Sequence, residues 1–368
     1  MKTSKILALL IALLLILLTA CTPATPDDVE LPELPPADEY QQDSSENIST
    51  EPGTYQGWLD IPTRSSLPLN ADTPHGYLAQ QHILFMNDYL PERIAFSYQE
   101  LEAAKWIVEE LLSIGYTWAE IAVQEFSVAD LFGQPGPVRH FFPIGDHQLR
   151  EYSQNVILTV AGQSEQTIII GAHYDSLLYP GASDNASGTA LLLESAQRMR
   201  YLDNYYTLVY VFFGAEEIGL LGAAYYLDQL SETEEDNIVL MVNADVLLDG
   251  DTLFYAAGYS LQRNNIGENA RTAQIDQIAN RLNTTYDIDF NAVPDQVFLP
   301  SDHLPFLDAG HTILLFFGGN IINGGFEFDV FHSYRDDAHY IMANMPGRLE
   351  HAMWAFSLLL EEVLLLQP

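Results

Sequence analysis

The sequence predicts an α/β fold: a three-layer sandwich with a mixed, mainly parallel central sheet. Three observations carry that prediction. Near-continuous apolar runs such as "QTIIIGAH", "YTLVYVFF" and "NIVLMVNADV" alternate along the chain with stretches of helical periodicity such as "SGTALLLESAQRM" and "GLLGAAYYLDQL". Strands that are apolar throughout are buried on both faces and need helices on either side. Acidic residues and histidines gather where the apolar runs stop, at the edge where open α/β sheets bind ligands.

The N-terminal stretch "MKTSKILALLIALLLILLTAC" has two lysines, an apolar run from Ile6 to Leu18, and then Cys21. A spanning helix takes about 20 apolar residues, so this shorter run reads as a signal peptide over residues 1–20. "LTAC" resembles the lipobox of bacterial lipoproteins, which implies lipidation at Cys21 and a cell-membrane lipoprotein exposed on the extracytoplasmic side. Cys21 is the single cysteine in the chain, so no intramolecular disulfide is available. Residues 21–56 are rich in proline and acid, contain no Lys or Arg, and read as a disordered tether. Residues 57–368 then read as one domain, with no fixed-period repeat and no second linker.

Within that domain "SYQELEAAKWIVEELLSIGY" predicts a helix, with Ser97 and Glu100 as a capping box and Gly115 as its end. "NVILTVAG" and "QTIIIGAH" read as neighbouring strands. The strands "YTLVYVFF", "NIVLMVNADV" and "TILLFFGG" come next, and "PGRLEHAMWAFSLLLEEVLLL" closes the chain as a core helix whose charged residues argue against a membrane span. The course of loops 122–152 and 258–298 cannot be derived from periodicity. The net charge of −37 argues against a nucleic-acid partner, because phosphate binding needs a basic face.

The residues just beyond each strand share one chemistry. His173 and Asp175 come after "TIII", and Asp184 and Asn185 lie in the next loop. Glu216 and Glu217 come after "VYVFF", Asp245 after "LMVN", and His332 in "FHSYRDD". Taken singly, Asp175 reads as a turn residue, and Glu216 and Glu217 as acids at a helix N-terminus. Taken together, five segments deliver His, Asp and Glu to one rim. Imidazoles and carboxylates without thiolate suit zinc, with cobalt or manganese as alternatives. Five donors and a spare glutamate are what two ions sharing a carboxylate would use.

"GAHYDS", "GASDNASG", "FFGAEEIGLLGA", "NADV", "PSDHLPFLDAG" and "FHSYRDD" resemble, in order, the successive motifs of the di-zinc aminopeptidases that include bacterial leucyl aminopeptidases. The resemblance runs from about Glu92 to the C-terminus and implies that the sandwich is of the zinc-peptidase type. It implies that His173 and Asp245 hold one zinc, Glu217 and His332 the other, and that Asp184 bridges them. It also implies a cis peptide at Asp184–Asn185, and Glu216 as general base toward a metal-bridging hydroxide that attacks the first peptide bond of a peptide substrate. Asp175, two residues from His173, is expected to fix its imidazole tautomer. Asp302 and His303 are expected to be supporting residues rather than ligands. Glutaminyl cyclases resemble the same family with a single zinc, so a cyclotransferase is the first alternative. A carboxypeptidase specificity and an inactive surface binding lipoprotein are the others.

Overall fold

The computed structural model describes residues 73–132, 149–262, 265–293, 300–322 and 325–368. The signal peptide, the tether and Cys21 lie outside the described residues, as does the stretch 133–148 of the first underivable loop.

Among the described residues ten strands form one sheet. In chain order they are β1 (Ile121–Ser127), β2 (Tyr152–Val160), β3 (Ser164–His173), β4 (Tyr206–Phe213), β5 (Ile238–Ala244), β6 (Thr252–Gln262), β7 (Asn265–Gly267), β8 (Phe290–Ala292), β9 (Thr312–Ile322) and β10 (Gly325–Glu327). Across the sheet the order is β1-β2-β4-β3-β5-β9-β6-β7, with β10 against β9 and β8 against β6. The centre, β4-β3-β5-β9, is parallel. The flanks are not: β1, β2 and β4 pair antiparallel on one side, and β9, β6 and β7 on the other. The sheet is therefore mixed, as expected, with its long parallel pairings in the middle and one short parallel pair, β6 with β8, on the flank.

One expected pairing is corrected. "NVILTVAG" (mostly in β2) and "QTIIIGAH" (within β3) are consecutive yet not adjacent, because β4 lies between them. The connection from β3 to β4 runs through the helix Ser187–Met199, and the returning strand takes the place beside β3. Strand β2 then pairs with the outer edge of β4.

Alternation along the strands divides the core into two layers. Ile168 and Ile170 of β3 join Leu208, Tyr210, Leu240 and Val242 in the larger apolar layer, while Ile169 joins Val211, Phe213 and Met241 in the smaller. The larger is covered by α1 (Tyr77–Tyr89), α2 (Tyr98–Ile114), α4 (Ser187–Met199), α7 (Ala270–Tyr286) and the closing helix α10 (Arg348–Leu364), the short helices α3 (Val128–Phe132), α6 (Glu232–Asp236) and α9 (Ala338–Asn344) completing the chain order. The smaller is covered by α5 (Leu221–Gln229) and α8 (Leu304–Ala309), through Ala223, Tyr226, Phe306 and Leu307. Of the stretches whose course was not derivable, 122–152 contains most of β1, and 258–298 contains α7. Among the described residues no helix is long and apolar enough to cross a membrane, so α10 is the core helix expected.

The capping box at α2 is half present. The Ser97 side chain accepts from the Glu100 amide, as expected. The Glu100 carboxylate, however, turns away to Phe96 N, Ser153 Oγ and Ala215 N.

Candidate metal centre

The carboxyl ends of the parallel strands converge. His173 is the last residue of β3, Glu216 and Glu217 lie in the turn after β4, and Asp245 comes directly after β5. Asp184 comes from the irregular turn Ala182–Ala186 ahead of α4, where the Asp184–Asn185 peptide is cis. His332 lies between β10 and α9 with a left-handed backbone, φ 51°, and its ring stacks on Phe331 at a centroid distance of 3.7 Å.

The two carboxylate oxygens of Asp184 divide between the two imidazoles. Oδ1 lies 3.1 Å from His173 Nε2, and Oδ2 lies 3.1 Å from His332 Nε2. Asp245 Oδ1 is 3.2 Å from the same His173 nitrogen, and Glu217 Oε2 is 3.2 Å from the His332 nitrogen. Two groups of candidate ligands result, His173 with Glu216 and Asp245, and Asp184 with Glu217 and His332, each with its ligand atoms within 4.8 Å of one another. Glu216 thus lies on the His173 side, 4.0 Å from Nε2.

This donor set fits divalent cations. Ligand atoms about 2.0–2.1 Å from a tetrahedral zinc are roughly 3.3 Å from one another, close to the nitrogen-to-oxygen separations here. Glu217 Oε1 is buried with no hydrogen-bond partner. Negative charge is also in excess. Against the penalty of burying the ring, Glu217 and Asp184 push the His332 imidazole up to about 12, and Glu216 and Asp245 hold His173 well above its ordinary value. Burial raises Glu216 well above the usual carboxylate range, and burial together with the Asp184 charge raises Glu217 to about 7. Divalent cations held among these carboxylates would offset that excess.

Surrounding residues hold the donors. The carboxylate of Asp175, expected to serve the His173 tautomer, chiefly accepts the Glu216 and Glu217 amides at 3.0 and 3.2 Å. It approaches His173 Nδ1 only to 3.5 Å, and the nearer contact to that nitrogen is the Asp175 backbone carbonyl at 3.2 Å. Ser301 Oγ donates to Asp245 Oδ2 at 2.6 Å and accepts from Asn243 Nδ2 at 2.8 Å. Asp336 accepts the Ser183 and Asp184 amides, at 2.5 and 3.0 Å. Asp249 accepts the amides of Asp329, Val330 and Phe331, just ahead of His332. Behind the turn, buried Arg93 donates to the carbonyls of Leu90, Tyr174, Pro180 and Gly181.

Sequence reasoning did not assign Ser301, Asn243, Asp336 or Asp249. Two signals for them were present: Ser301 opens the "SDHLPF" run, and Asp336 completes an H-S-x-x-D pattern after His332. Asp302 and His303 are fully buried nearby and belong to neither candidate ligand group.

A mixed α/β sandwich with paired histidine and carboxylate clusters at the carboxyl ends of its central strands defines a metallohydrolase-like architecture. The family described as Peptidase family M28 matches residues 155–357, and the chain belongs to that family. Aminopeptidase YwaD of Bacillus subtilis is 33% identical over 147 residues, 39% of this chain and 30% of that protein. The match thus spans less than a third of the length of that relative. In fold, the chain is similar to BSAP, a zinc aminopeptidase from Bacillus subtilis, with a TM-score of 0.62 at 18% identity over 79% of this chain and 95% of that one. It is also similar to a glutaminyl cyclase from an Acidobacteriales bacterium, with a TM-score of 0.57 at 18% identity over 80% of this chain and 97% of that one.

Proposed function

We propose that the protein is a zinc-dependent aminopeptidase that removes the N-terminal residue of peptides. The observation that carries this reading is the division of Asp184 between His173 and His332, with Glu216 beside them. His173, Asp184 and Asp245 would hold one cation, and Asp184, Glu217 and His332 the other. Two divalent ions bound there supply Lewis-acid polarisation of a carbonyl and lower the pKa of water toward about 7.

The remaining chemistry belongs to the chain. Glu216 would take a proton from the attacking water at its carboxylate and return it to the amine released as the C–N bond breaks, the role of a positioned general acid–base. Asp175 fixes the backbone from which Glu216 and Glu217 project. Excess negative charge at the rim suits a substrate whose free amine is a cation. The name of the relative YwaD supports the choice of aminopeptidase.

The test is metal content by mass spectrometry and hydrolysis of aminoacyl anilides, for the full chain and a Glu216→Gln variant. Two zincs per chain are expected in both proteins, with turnover lost in the variant by about 10²–10⁴-fold. One zinc, no hydrolysis and cyclisation of glutaminyl peptides would replace this reading with the cyclase one, toward which the second fold likeness points. Protein that binds no divalent ion and turns nothing over would support a surface binding role.

The N-terminal reading also stands as a proposal: the protein is held at the cell membrane, on its extracytoplasmic side, by lipid on Cys21. Lipidation is expected to incorporate labelled palmitate into the wild type and not into Cys21→Ala. Equal labelling of the two would remove the anchor.

A further inference from the structure

The turn that presents Glu216 and Glu217 is held by four successive amides. Gly214 N donates to Asn155 Oδ1 at 3.1 Å, Ala215 N to Glu100 Oε1 at 3.0 Å, and Glu216 N and Glu217 N to the two oxygens of Asp175. These amides thus reach three buried side chains, from β2, α2 and the segment after β3. The carbonyls of Gly214, Ala215 and Glu216 are satisfied locally, by the amides of Gly219, Leu220, Leu221 and Gly222.

Glu100 stands out among these partners. It is fully buried, and its hydrogen bonds are to Phe96 N, Ala215 N and Ser153 Oγ, with no cation among them. Its place in the first turn of α2 puts the carboxyl at the positive end of a helix dipole, while burial, with the nearby Asp175 charge, pushes it up to about 8. Phe96 and Ala215 are both non-glycine residues with left-handed backbones, φ 63° and 54°. Such conformations cost about 1 kcal/mol or more each and persist where surrounding bonds over-determine them. One carboxylate holds both. Ala215 directly precedes Glu216, so any relaxation at Ala215 moves the next two side chains. Space is short as well: a Cβ on Gly214 would meet Gln154 O and Ser153 Oγ at 2.6 Å and Glu100 Oε1 at 3.0 Å.

We propose that Glu100 is a positioning residue for the site, clamping Ala215 so that Glu216 and Glu217 project from a fixed turn toward the base and ligand positions. The assignment of those two positions rests on the proposed function; the clamp itself does not.

The test compares the full-chain wild type with Glu100→Gln, which has the same shape but one acceptor oxygen in place of two. Glu194→Gln serves as the control, because Glu194 is a buried carboxylate that also binds several donors, away from the site. Hydrogen exchange at the amides of 214–217 is expected to quicken in Glu100→Gln and to stay unchanged in α7. Cobalt affinity, read from the visible absorption of the bound ion, is expected to fall about tenfold. kcat is expected to fall about 10–100-fold with KM within about threefold of wild type. Glu194→Gln is expected to lower the unfolding temperature while kcat and the cobalt spectrum stay at wild-type values.

Wild-type exchange at 214–217 in Glu100→Gln overturns the proposal, and so do equal losses of kcat in the two variants. If Glu100→Gln is not recovered folded, Glu100→Asp carries the same measurements, since its shorter arm cannot reach both Phe96 and Ala215. A wild type that neither binds cobalt nor hydrolyses peptides would defeat the proposed function, while the exchange measurement still decides the clamp.

Discussion

Asp245 meets the site with one oxygen and Ser301 with the other, so a single hydroxyl sets how its carboxylate is turned. Replacing Ser301 by Ala leaves Oδ2 without its 2.6 Å donor and Asn243 without its acceptor. The expected result is a 10–100-fold weaker hold on one of two metal equivalents, measured by competition with a chromophoric chelator, as is typical when the partner of a ligand is lost. At this scale the sequence was legible where chemistry coincides with strand ends. His173, Glu216, Glu217 and Asp245 sit at or just after apolar runs, and Asp184 and His332 were readable through the motif resemblance. The holding residues were not legible. Glu100 reaches Ala215 across 115 positions and Asp336 reaches Ser183 across 153, and contacts between a side chain and a distant amide leave no periodic trace. The local capping signal at Ser97 even pointed Glu100 to the wrong amide.

Among the elements, the helix layer is locked by another buried carboxylate. Glu194 of α4 accepts the amides of Gly76 and Ala79 at the start of α1, the Ser357 hydroxyl of α10, and Arg198 Nε within its own helix. It therefore caps one helix and ties two others to it. Glu194→Ala would leave two amides, a hydroxyl and a guanidinium without their shared acceptor. A loss of about 3–5 kcal/mol is expected in urea unfolding, in the range for breaking a buried ion pair. Helices α4 and α10 were readable from helical periodicity and apolar content. The order of strands was not, because β2 and β3 look alike as apolar runs and only the return through α4 decides that β4 comes between them. The antiparallel flanks escaped for the same reason: an apolar run shows burial, not direction.

For the molecule as a whole, folding gathers Asp175, Asp184, Glu216, Glu217, Asp245 and Asp302 around two imidazoles in a chain that already carries a net charge of −37. Bringing those carboxylates together works against folding unless cations accompany them, so metal and stability are linked. Zinc is expected to raise the unfolding temperature by several degrees at saturating concentration, and a chelator to reverse the gain. Magnesium at the same ionic strength should do far less, since imidazole donors suit zinc better. An unfolding temperature indifferent to zinc would mean that the acids are neutralised by protons instead.

The joint at Gly76 has a mechanical consequence. Arg198 donates to the carbonyls of Thr73 and Pro74, Glu194 grips Gly76 N, and a Cβ on Gly76 would lie 2.4 Å from the backbone of Met353 and Trp354. A pull applied through the chain ahead of Thr73 therefore enters the fold at the helix layer and loads α1 against α4 and α10. The strands are not the first elements in line, and the turn of Glu216 and Glu217 hangs from the far end of β4. Tension at the N-terminal side falls first on a helical buckle, and because α1 also packs against the Ala182–Ala186 turn, the Asp184 side of the site shares the load.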